Sequence, residues 1–226
     1  MGKLKIIFED NHIIVVEKKP NIPSQSDKTG DMDMLTLVKQ YIKEKYQKPG
    51  NVYLGLVHRL DRPVGGIMIF AKTSKAASRL SNQVREKVFK KKYLAVVDGR
   101  FKEKEGSLED YLYKDERNNI SKVVNKDKKN AKLAKLDYKE LAYNEVKNLS
   151  LLEINLHTGR HHQIRVQLAN AGHSIFGDQK YGKRGQGKQI ALWAYELTIE
   201  HPTTKEMLTF KDLPEPIGTW CILKDI

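Results

Sequence analysis

The chain has 226 residues, and its 41 lysines and arginines exceed its 28 aspartates and glutamates, which gives a formal net charge of +13. It contains no apolar run near the ~20 residues of a membrane-spanning helix and no signal peptide, and its single cysteine, Cys221, excludes an internal disulfide, so we expect a cytoplasmic protein. The positive charge indicates a polyanionic partner, with nucleic acid the leading candidate, although lysine-rich cytosolic proteins without such a partner exist.

The first predicted elements are a β-hairpin and a helix. Residues 4–8 and 13–17 are rich in β-branched residues and flank a polar turn, which predicts two paired strands. A helix is predicted to run from Asp31 or Asp33, either of which can cap it, to about Gln47.

A polar loop then connects two predicted strands, 52–57 and 66–72. The second strand is a continuous apolar run and should be buried, so Asp61 lies on a loop that a rigid element holds. Arg59 and Arg62 flank this carboxylate and favour its charged form. The alternative is that Asp61 caps a turn between two solvated arginines.

A second helix and a series of strands follow. Thr73 predicts the helix start, and Ala77, Leu80 and Val84 define an apolar face that continues to about Lys87. The later elements are predicted as strand 91–98, loops or hairpins over 100–135, strands 132–142 and 149–156, a short helix over 161–171, a glycine-rich loop over 177–188, and strands 190–199 and 207–210. Because strands outnumber helices and occur as hairpins, we predict an α+β fold with a mixed, largely antiparallel sheet and flanking helices.

Residues 158–165, Thr-Gly-Arg-His-His-Gln-Ile-Arg, form the second dense polar cluster. They open a predicted helix, whose start offers free N–H groups suited to phosphate, although a plain basic helix cap explains them equally. His157 and His161 have the i, i+4 spacing of helical metal ligands, but the intervening glycine argues against a helix there and no third ligand is evident. We therefore expect no metal.

Three other features are weaker. Tyr93 lies in a basic strand and could stack on a base, although such a tyrosine is more often half-buried core. Residues 182–188 combine glycines with basic residues but lack the Walker spacing, and we interpret them as a flexible basic loop. Glycoside hydrolysis usually needs two carboxylates, and Asp61 has no evident acidic partner, although Asp178 stays open.

Taken together, the motif blocks resemble the RNA pseudouridine synthases of the RluA type. The matching blocks are residues 8–20 (Phe-Glu-Asp-Asn-His-Ile-Ile-Val-Val-Glu-Lys-Lys-Pro), 58–62 (His-Arg-Leu-Asp-Arg) with Gly66 and the strand to Lys72, 92–99 (Lys-Tyr-Leu-Ala-Val-Val-Asp-Gly), and 158–165 continuing to Gly172-His173 and 177–182 (Gly-Asp-Gln-Lys-Tyr-Gly). No single block is specific, but their conjunction in order is.

The resemblance implies a single catalytic domain over residues 1–226 with a central basic cleft. In this family Asp61 matches the essential aspartate, Tyr93 the active-site tyrosine, and Arg165 the arginine that pairs with the aspartate. Arg59 matches the arginine that helps to hold the target nucleotide out of its helix, and Ile164 an apolar position near the uracil. The other polar residues of the two central blocks are expected to bind RNA: His58, Arg62, Arg160, His161 and Gln163.

Some positions depart from the family pattern. The usual Thr-Ser-Gly triplet is replaced by Val64-Gly65-Gly66 after Pro63, which suggests an apolar and flexible turn. His161 stands where threonine is commoner, and Trp193 where histidine is common. The first block starts almost at Met1, so we expect no small RNA-binding domain upstream.

Three classes of function stay open: an isomerase that converts uridine to pseudouridine in ribosomal or transfer RNA, a non-catalytic RNA-binding or ribosome-assembly protein, and a nucleoside or glycoside hydrolase. The intact set of Asp61, Tyr93 and Arg165 favours the isomerase. That reaction oxidises nothing and imports no group, so neither a cofactor nor a metal is expected. We expect a monomer, since no apolar oligomer seam is evident.

Overall fold

The computed structural model describes residues 4–183 and 187–225. It contains two compact units, one formed by Met1–Lys90 with Ala194–Leu213 and the other by Lys91–Trp193 with Pro214–Ile226. Within the described ranges, no helix is both long and apolar enough to cross a bilayer. The single catalytic domain expected over residues 1–226 stays a prediction.

Strands dominate the structure, which confirms the predicted α+β class with a mixed, mostly antiparallel sheet. In chain order the elements are β1 (Ile6–Glu9), β2 (Ile13–Lys18), α1 (Met34–Lys45), β3 (Gly55–Leu56), β4 (Gly65–Ala71), α2 (Ser74–Arg85), β5 (Lys90–Asp98), β6 (Glu105–Asp115), β7 (Ile120–Val124), β8 (Lys132–Asn144), β9 (Leu149–Leu156), α3 (Gln163–Asn170), β10 (Leu192–Glu200), β11 (Met207–Lys211) and a 3-10 helix (Gly218–Asp225).

The first unit is organised on β4, whose seven residues are all buried. The strand order is β1-β2-β4-β10-β11, and the short β3 pairs with the end of β4. β2 pairs antiparallel with β4 in a register that runs from Ile13 opposite Ala71 to Lys18 opposite Gly66. Ile69 packs in a cluster with Leu80 of α2, and each such buried aliphatic side chain contributes about 1.5–3 kcal/mol.

Both helices of this unit begin where the sequence predicted. The Asp33 carboxylate caps α1 and accepts from the Thr36 backbone N–H at 3.0 Å, while the Thr73 hydroxyl caps α2 and accepts from the Ala76 N–H at 3.1 Å. Each cap satisfies an N–H that the first helical turn leaves without a partner, a contribution of about 1 kcal/mol.

The buried face of α2 differs from the prediction. Val84, expected on the apolar face, is 38% exposed, whereas Gln83 is buried. Gln83 Nε2 donates to the Glu200 carbonyl at 2.7 Å, and the Glu200 N–H donates to Gln83 Oε1 at 3.1 Å. The amide therefore completes the backbone pairing of β10, which makes its burial favourable.

The second unit is a five-stranded antiparallel sheet in the order β5-β9-β8-β6-β7. Register places Tyr93, Ile154 and Tyr138 side by side on one face and puts Asn155 and Asp137 on the other. α3 packs on this sheet, because Val166 contacts Leu112 and Ala134. β6 and β7 occupy the segment that the sequence resolved only as loops or hairpins.

Glu9 joins β1 to the end of α1 and to the residue after β4. Its carboxylate accepts from Lys45 (2.7 Å), Lys72 (2.8 Å), Tyr46 (2.8 Å) and Tyr41 (3.0 Å). Burial raises the pKa of Glu9, but these hydrogen bonds outweigh burial and lower the pKa to about 2.

We therefore expect Glu9 to stabilise the fold in a pH-dependent way. A lowered pKa in the folded state gives stability that is fully present above pH ~4.5 and is lost as the pH falls towards 2. Glu9→Gln should lower the free energy of unfolding by about 2 kcal/mol at pH 7, and its difference from wild type should shrink at pH 3. Urea unfolding at the two pH values measures this, and an equal difference at both would contradict it.

Candidate active site

The turn that contains Asp61 is hydrogen-bonded to the segment that follows β2. The Val64 N–H donates to the Asp61 carbonyl at 3.0 Å and closes the turn. Ser24 Oγ donates to the Leu60 carbonyl at 2.8 Å and accepts from the Leu60 N–H at 3.1 Å. The Asn21 N–H donates to the carbonyl of the residue after Asp61 at 2.8 Å. The backbone on both sides of Asp61 is thus fixed.

Lys18 supplies the strongest support for this turn. Its side chain is completely buried, and its Nζ donates to the carbonyls of Val64 (2.6 Å), Arg62 (2.9 Å) and Lys19 (3.3 Å). Burial lowers the pKa of Lys18 to about 7, and the charge of Asp61 opposes that decrease. Three carbonyl acceptors match the three N–H groups of an ammonium, so we assign the charged form.

Lys18→Met should therefore lower the free energy of unfolding by about 2–4 kcal/mol, because three buried carbonyls lose their donor. Amide hydrogen exchange at Val64 should accelerate at the same time, since the turn loses its support. Lys19→Met is the matched control: the neighbouring side chain is exposed, and only its carbonyl contacts Lys18. Equal effects of the two substitutions would refute this role.

The strand start after Asp61 is apolar, as expected, but it is not flexible. Val64 is 2% exposed, and Gly65 and Gly66 are buried in β4. Gly66 has φ +121°, and a Cβ there would lie 2.2 Å from the Ala194 carbonyl oxygen on β10. Only glycine fits between these two strands at that position.

The other predicted residues of this block have different surroundings. Arg59 is exposed and forms no hydrogen bond or ion pair with another described residue. Arg62 is half-buried; it pairs with Asp31 and lies 3.6 Å from Asp27. His58 Nε2 accepts from the backbone N–H of β4 residue Ile69 at 3.1 Å. His58 therefore supports the core strand, whereas Arg59 is the residue available to an external ligand.

Arg165 is buried in the second unit, on α3. Its Nε and Nη2 donate to the two oxygens of Asp178 at 2.8 and 2.7 Å, and the two side chains are 4% and 0% exposed. Burial raises the pKa of Asp178, but Arg165 outweighs burial and lowers it. The Lys180 and Tyr181 N–H groups also donate to Asp178, and the Arg165 guanidinium lies 5.3 Å from the Tyr181 ring centre. This bidentate pair fixes the orientation of the guanidinium.

The block 177–182 forms the turn that presents Asp178. A Cβ on Gly177, which has φ +74°, would lie 2.1 Å from the Gln189 carbonyl oxygen, and one on Gly182 would lie 2.5 Å from the Asp178 carbonyl oxygen. The turn is therefore tightly packed. The flexible basic loop predicted over 182–188 falls partly outside the described residues, because 184–186 are not among them.

α3 begins at Gln163, two residues later than predicted. His162, at φ +53°, precedes it, and its ring stacks on that of His161. Gln163 is buried; its Oε1 accepts from the Thr158 hydroxyl at 2.7 Å, and its Nε2 donates to the Lys135 carbonyl at 3.1 Å. Gln163, predicted to bind RNA, therefore connects the start of α3 to Thr158 and to β8 by hydrogen bonds inside the protein.

The remaining predicted residues of the second unit are Tyr93, Arg160, His161 and Ile164. Tyr93 on β5 and Ile164 on α3 are buried, at 6% and 5% exposure. Arg160 Nε donates to the Leu133 carbonyl on β8 at 2.9 Å, and Ser121 Oγ on β7 donates to the His161 carbonyl at 2.7 Å. Strands β7 and β8 are thus tied to the start of α3.

The residues considered above for a metal site and for a second carboxylate have other partners in the structure. No group of three or more His, Cys, Asp or Glu side chains in residues 4–183 and 187–225 could hold a metal ion. His157 contacts Asp137, at 2.5 Å. Asp178 is committed to Arg165, so it does not supply the second carboxylate of a hydrolase.

Comparison with known proteins gives concordant matches. A family model described as RNA pseudouridylate synthase matches residues 12–170. An uncharacterized RNA pseudouridine synthase of Bacillus subtilis, YhcT, is 34% identical over 92% of this chain and 67% of its own length. Ribosomal large subunit pseudouridine synthase D of Nitrosomonas europaea is 31% identical over 95% of this chain and 63% of its own length. The chain therefore spans about two thirds of these relatives.

Solved structures show the same fold. Human RNA pseudouridylate synthase domain containing 1 superposes with a TM-score of 0.76 at 24% identity, over 96% of this chain and 85% of its own. Human RNA pseudouridylate synthase domain containing 4 gives 0.77 at 21% identity, over 93% and 89%. These two likenesses concern the fold alone.

Proposed function

The chain belongs to the RNA pseudouridylate synthase family, a family of isomerases, and on that premise we propose that it converts uridine to pseudouridine in ribosomal or transfer RNA with Asp61 as the reacting carboxylate. The observation that carries this proposal is the Asp61 turn, whose backbone is held by hydrogen bonds from Lys18, Asn21 and Ser24 directly ahead of the buried strand β4. Such a frame suits a reacting group, since small misplacements are costly in catalysis.

The proposed reaction begins with the target nucleotide outside its helix, because the glycosidic bond of a stacked uridine is not reachable. Arg59 takes the place that the flipped nucleotide leaves, and Tyr93 offers a face to the uracil beside Ile164. Asp61 then acts at the ribose, either as a nucleophile at C1′ or as a base at C2′. The N1–C1′ bond breaks, the uracil turns, and C5 bonds to C1′ as Asp61 leaves C1′ or returns the proton to C2′. C5 then loses its proton and N1 gains one, so the product is an isomer of the substrate.

Within this proposal Arg165 is the cation that pairs with Asp61 and keeps it ionised. Asp178 binds two donors of the guanidinium, Nε and Nη2, and so sets the plane in which the other N–H groups point. The atoms balance without any added group, because the leaving uracil is retained and no water enters the product.

The experiment combines purified protein with transcripts of ribosomal and transfer RNA. Pseudouridine, detected by selective chemical labelling and reverse transcription, supports the proposal, and mapping in cells with and without the gene identifies the position. Free uracil in the supernatant would indicate a hydrolase instead. Binding of RNA with neither product, on RNA from cells that lack the gene, would indicate a non-catalytic RNA-binding protein.

A further inference from the structure

The loop between β7 and β8, taken together with Lys132 at the start of β8, is a strongly basic short segment that no step above uses. Below, the β7–β8 loop means residues 125–132. Residues 125–132 (Asn-Lys-Asp-Lys-Lys-Asn-Ala-Lys) contain four lysines and one aspartate, so four minus one gives a net charge of +3 in eight residues. Residues 125–130 are exposed. Among the described residues, no carboxylate forms an ion pair with Lys126, Lys128, Lys129 or Lys132. A concentration of unpaired like charges repels itself and favours an external polyanion.

This loop holds its lysines in a defined shape. The Lys128 N–H donates to the Asn125 carbonyl at 3.0 Å, and the Ala131 N–H donates to the Lys128 carbonyl at 2.9 Å. Asn130 adopts φ +66°, and Lys128 Nζ lies 5.5 Å from the centre of the Tyr113 ring. Because the backbone is already ordered, binding of a ligand costs less conformational entropy than it would for a floppy lysine tail.

The same strands are fixed to the segment that opens α3. Arg160 holds the β8 backbone at Leu133, and Ser121 of β7 holds the His161 carbonyl. Lys132 lies opposite Leu112, which packs against Val166, so Lys132 is on the α3 side of the sheet. The basic loop is thus part of the same unit as Arg165 and extends outward from it.

The other face of this sheet has the opposite character. An open groove of about 520 Å³ over β6, β8 and β9 is lined by three carboxylates, Glu105, Asp137 and Glu153, and by a single lysine, Lys139. Carboxylates in that density repel phosphate. The distribution of charge in this unit therefore favours binding of a polyanion on the α3 side of the sheet and at the β7–β8 loop.

We propose that the β7–β8 loop, residues 125–132, binds the phosphate backbone of RNA outside the target nucleotide, and that it recognises the charge of the backbone and not the base sequence. The inference rests on the proposed function for the identity of the polyanion. Lysines act as point charges toward phosphate, without the bidentate geometry that reads a base.

The test compares two triple variants that lose the same charge. The first, K126Q/K128Q/K129Q, removes three lysines of the loop. The second, K102Q/K104Q/K147Q, removes three exposed lysines of the same unit at the other end of the sheet. The register puts Lys132 opposite Leu112, and the stretch of β6 from Leu112 back to Glu105 alone spans roughly 23 Å. Both are measured with labelled ribosomal RNA and with an unrelated structured RNA of equal length.

The loop variant should raise the dissociation constant about 30-fold near 0.15 M salt, by the same factor for both RNAs, and should reduce the slope of log Kd against log salt by about 2–3. The control variant should change the dissociation constant less than threefold. If the two variants lost RNA affinity equally, the effect would follow from net charge alone, and the inference would be overturned. Absence of pseudouridine formation by the wild-type protein would overturn the proposed function. The binding measurement tests the role of the loop separately, because it does not depend on that activity.

Discussion

Asp61→Asn is expected to abolish pseudouridine formation, with a fall in the single-turnover rate of ~10³-fold or more. The amide has the size of the carboxylate but can neither attack C1′ nor take a proton from C2′, so the loss is expected under both forms of the mechanism. RNA affinity should change little, because Lys18, Asn21 and Ser24 hold the backbone of the turn and the substitution leaves these contacts in place.

A matched control for this substitution is Asp27→Asn. Asp27 is an exposed acid that lies 3.6 Å from the Arg62 side chain, so its substitution removes the same charge near the same block and leaves the backbone contacts of the turn in place. We expect its rate to stay within twofold of wild type. Pseudouridine formation by Asp61→Asn at more than about a tenth of the wild-type rate would remove Asp61 from the mechanism.

The features that the sequence predicted correctly depend on neighbours in the chain. The apolar run of β4 identifies a buried strand, and the caps at Asp33 and Thr73 mark helix starts, because strand burial and capping are set within a few residues. The motif blocks placed Asp61 on the loop ahead of that strand for the same reason. Local patterns were sufficient there.

The features that the sequence did not predict are buried polar side chains with distant partners. Lys18 binds the carbonyl of Val64, 46 residues away, and Gln83 binds Glu200, 117 residues away. A lysine or glutamine in isolation predicts an exposed position, since burial is favourable only once a partner exists. One signal was present for Lys18, which continues the alternation of Ile14 and Val16 on the same side of β2.

The strands β6 and β7 were unreadable for another reason. β6 alternates exposed and half-buried residues over Glu105–Asp115, and charged side chains occur on both of its faces. A period of two is visible only where one face is apolar. Because this region has many charged residues on both faces of its strands, the sequence shows no apolar alternation from which the strands could be predicted.

Asp178→Asn should slow pseudouridine formation ~10²-fold and lower the free energy of unfolding by about 3 kcal/mol. Both effects follow from the buried pair, in which Arg165 loses the charge that neutralises it and the two contacts that set its orientation. The Lys180 and Tyr181 N–H groups can still donate to the remaining amide oxygen, so the turn itself should persist. Urea unfolding and single-turnover rates, taken where the variant is fully folded, measure the two effects separately.

A double-variant cycle distinguishes orientation of Arg165 from a purely structural role. Adding Arg165→Gln to Asp178→Asn removes the uncompensated buried charge, so the loss of stability should be smaller than the sum of the two single losses by about 1–3 kcal/mol. The rate should not recover, because the cation proposed to pair with Asp61 is gone. Asp98→Asn is the control: this buried carboxylate of the same unit accepts from Ser174 at 3.0 Å, so its loss should cost stability and leave the rate of folded protein unchanged. If folded Asp178→Asn protein reacts as fast as the Asp98→Asn control, Asp178 holds the fold together and does not position the arginine.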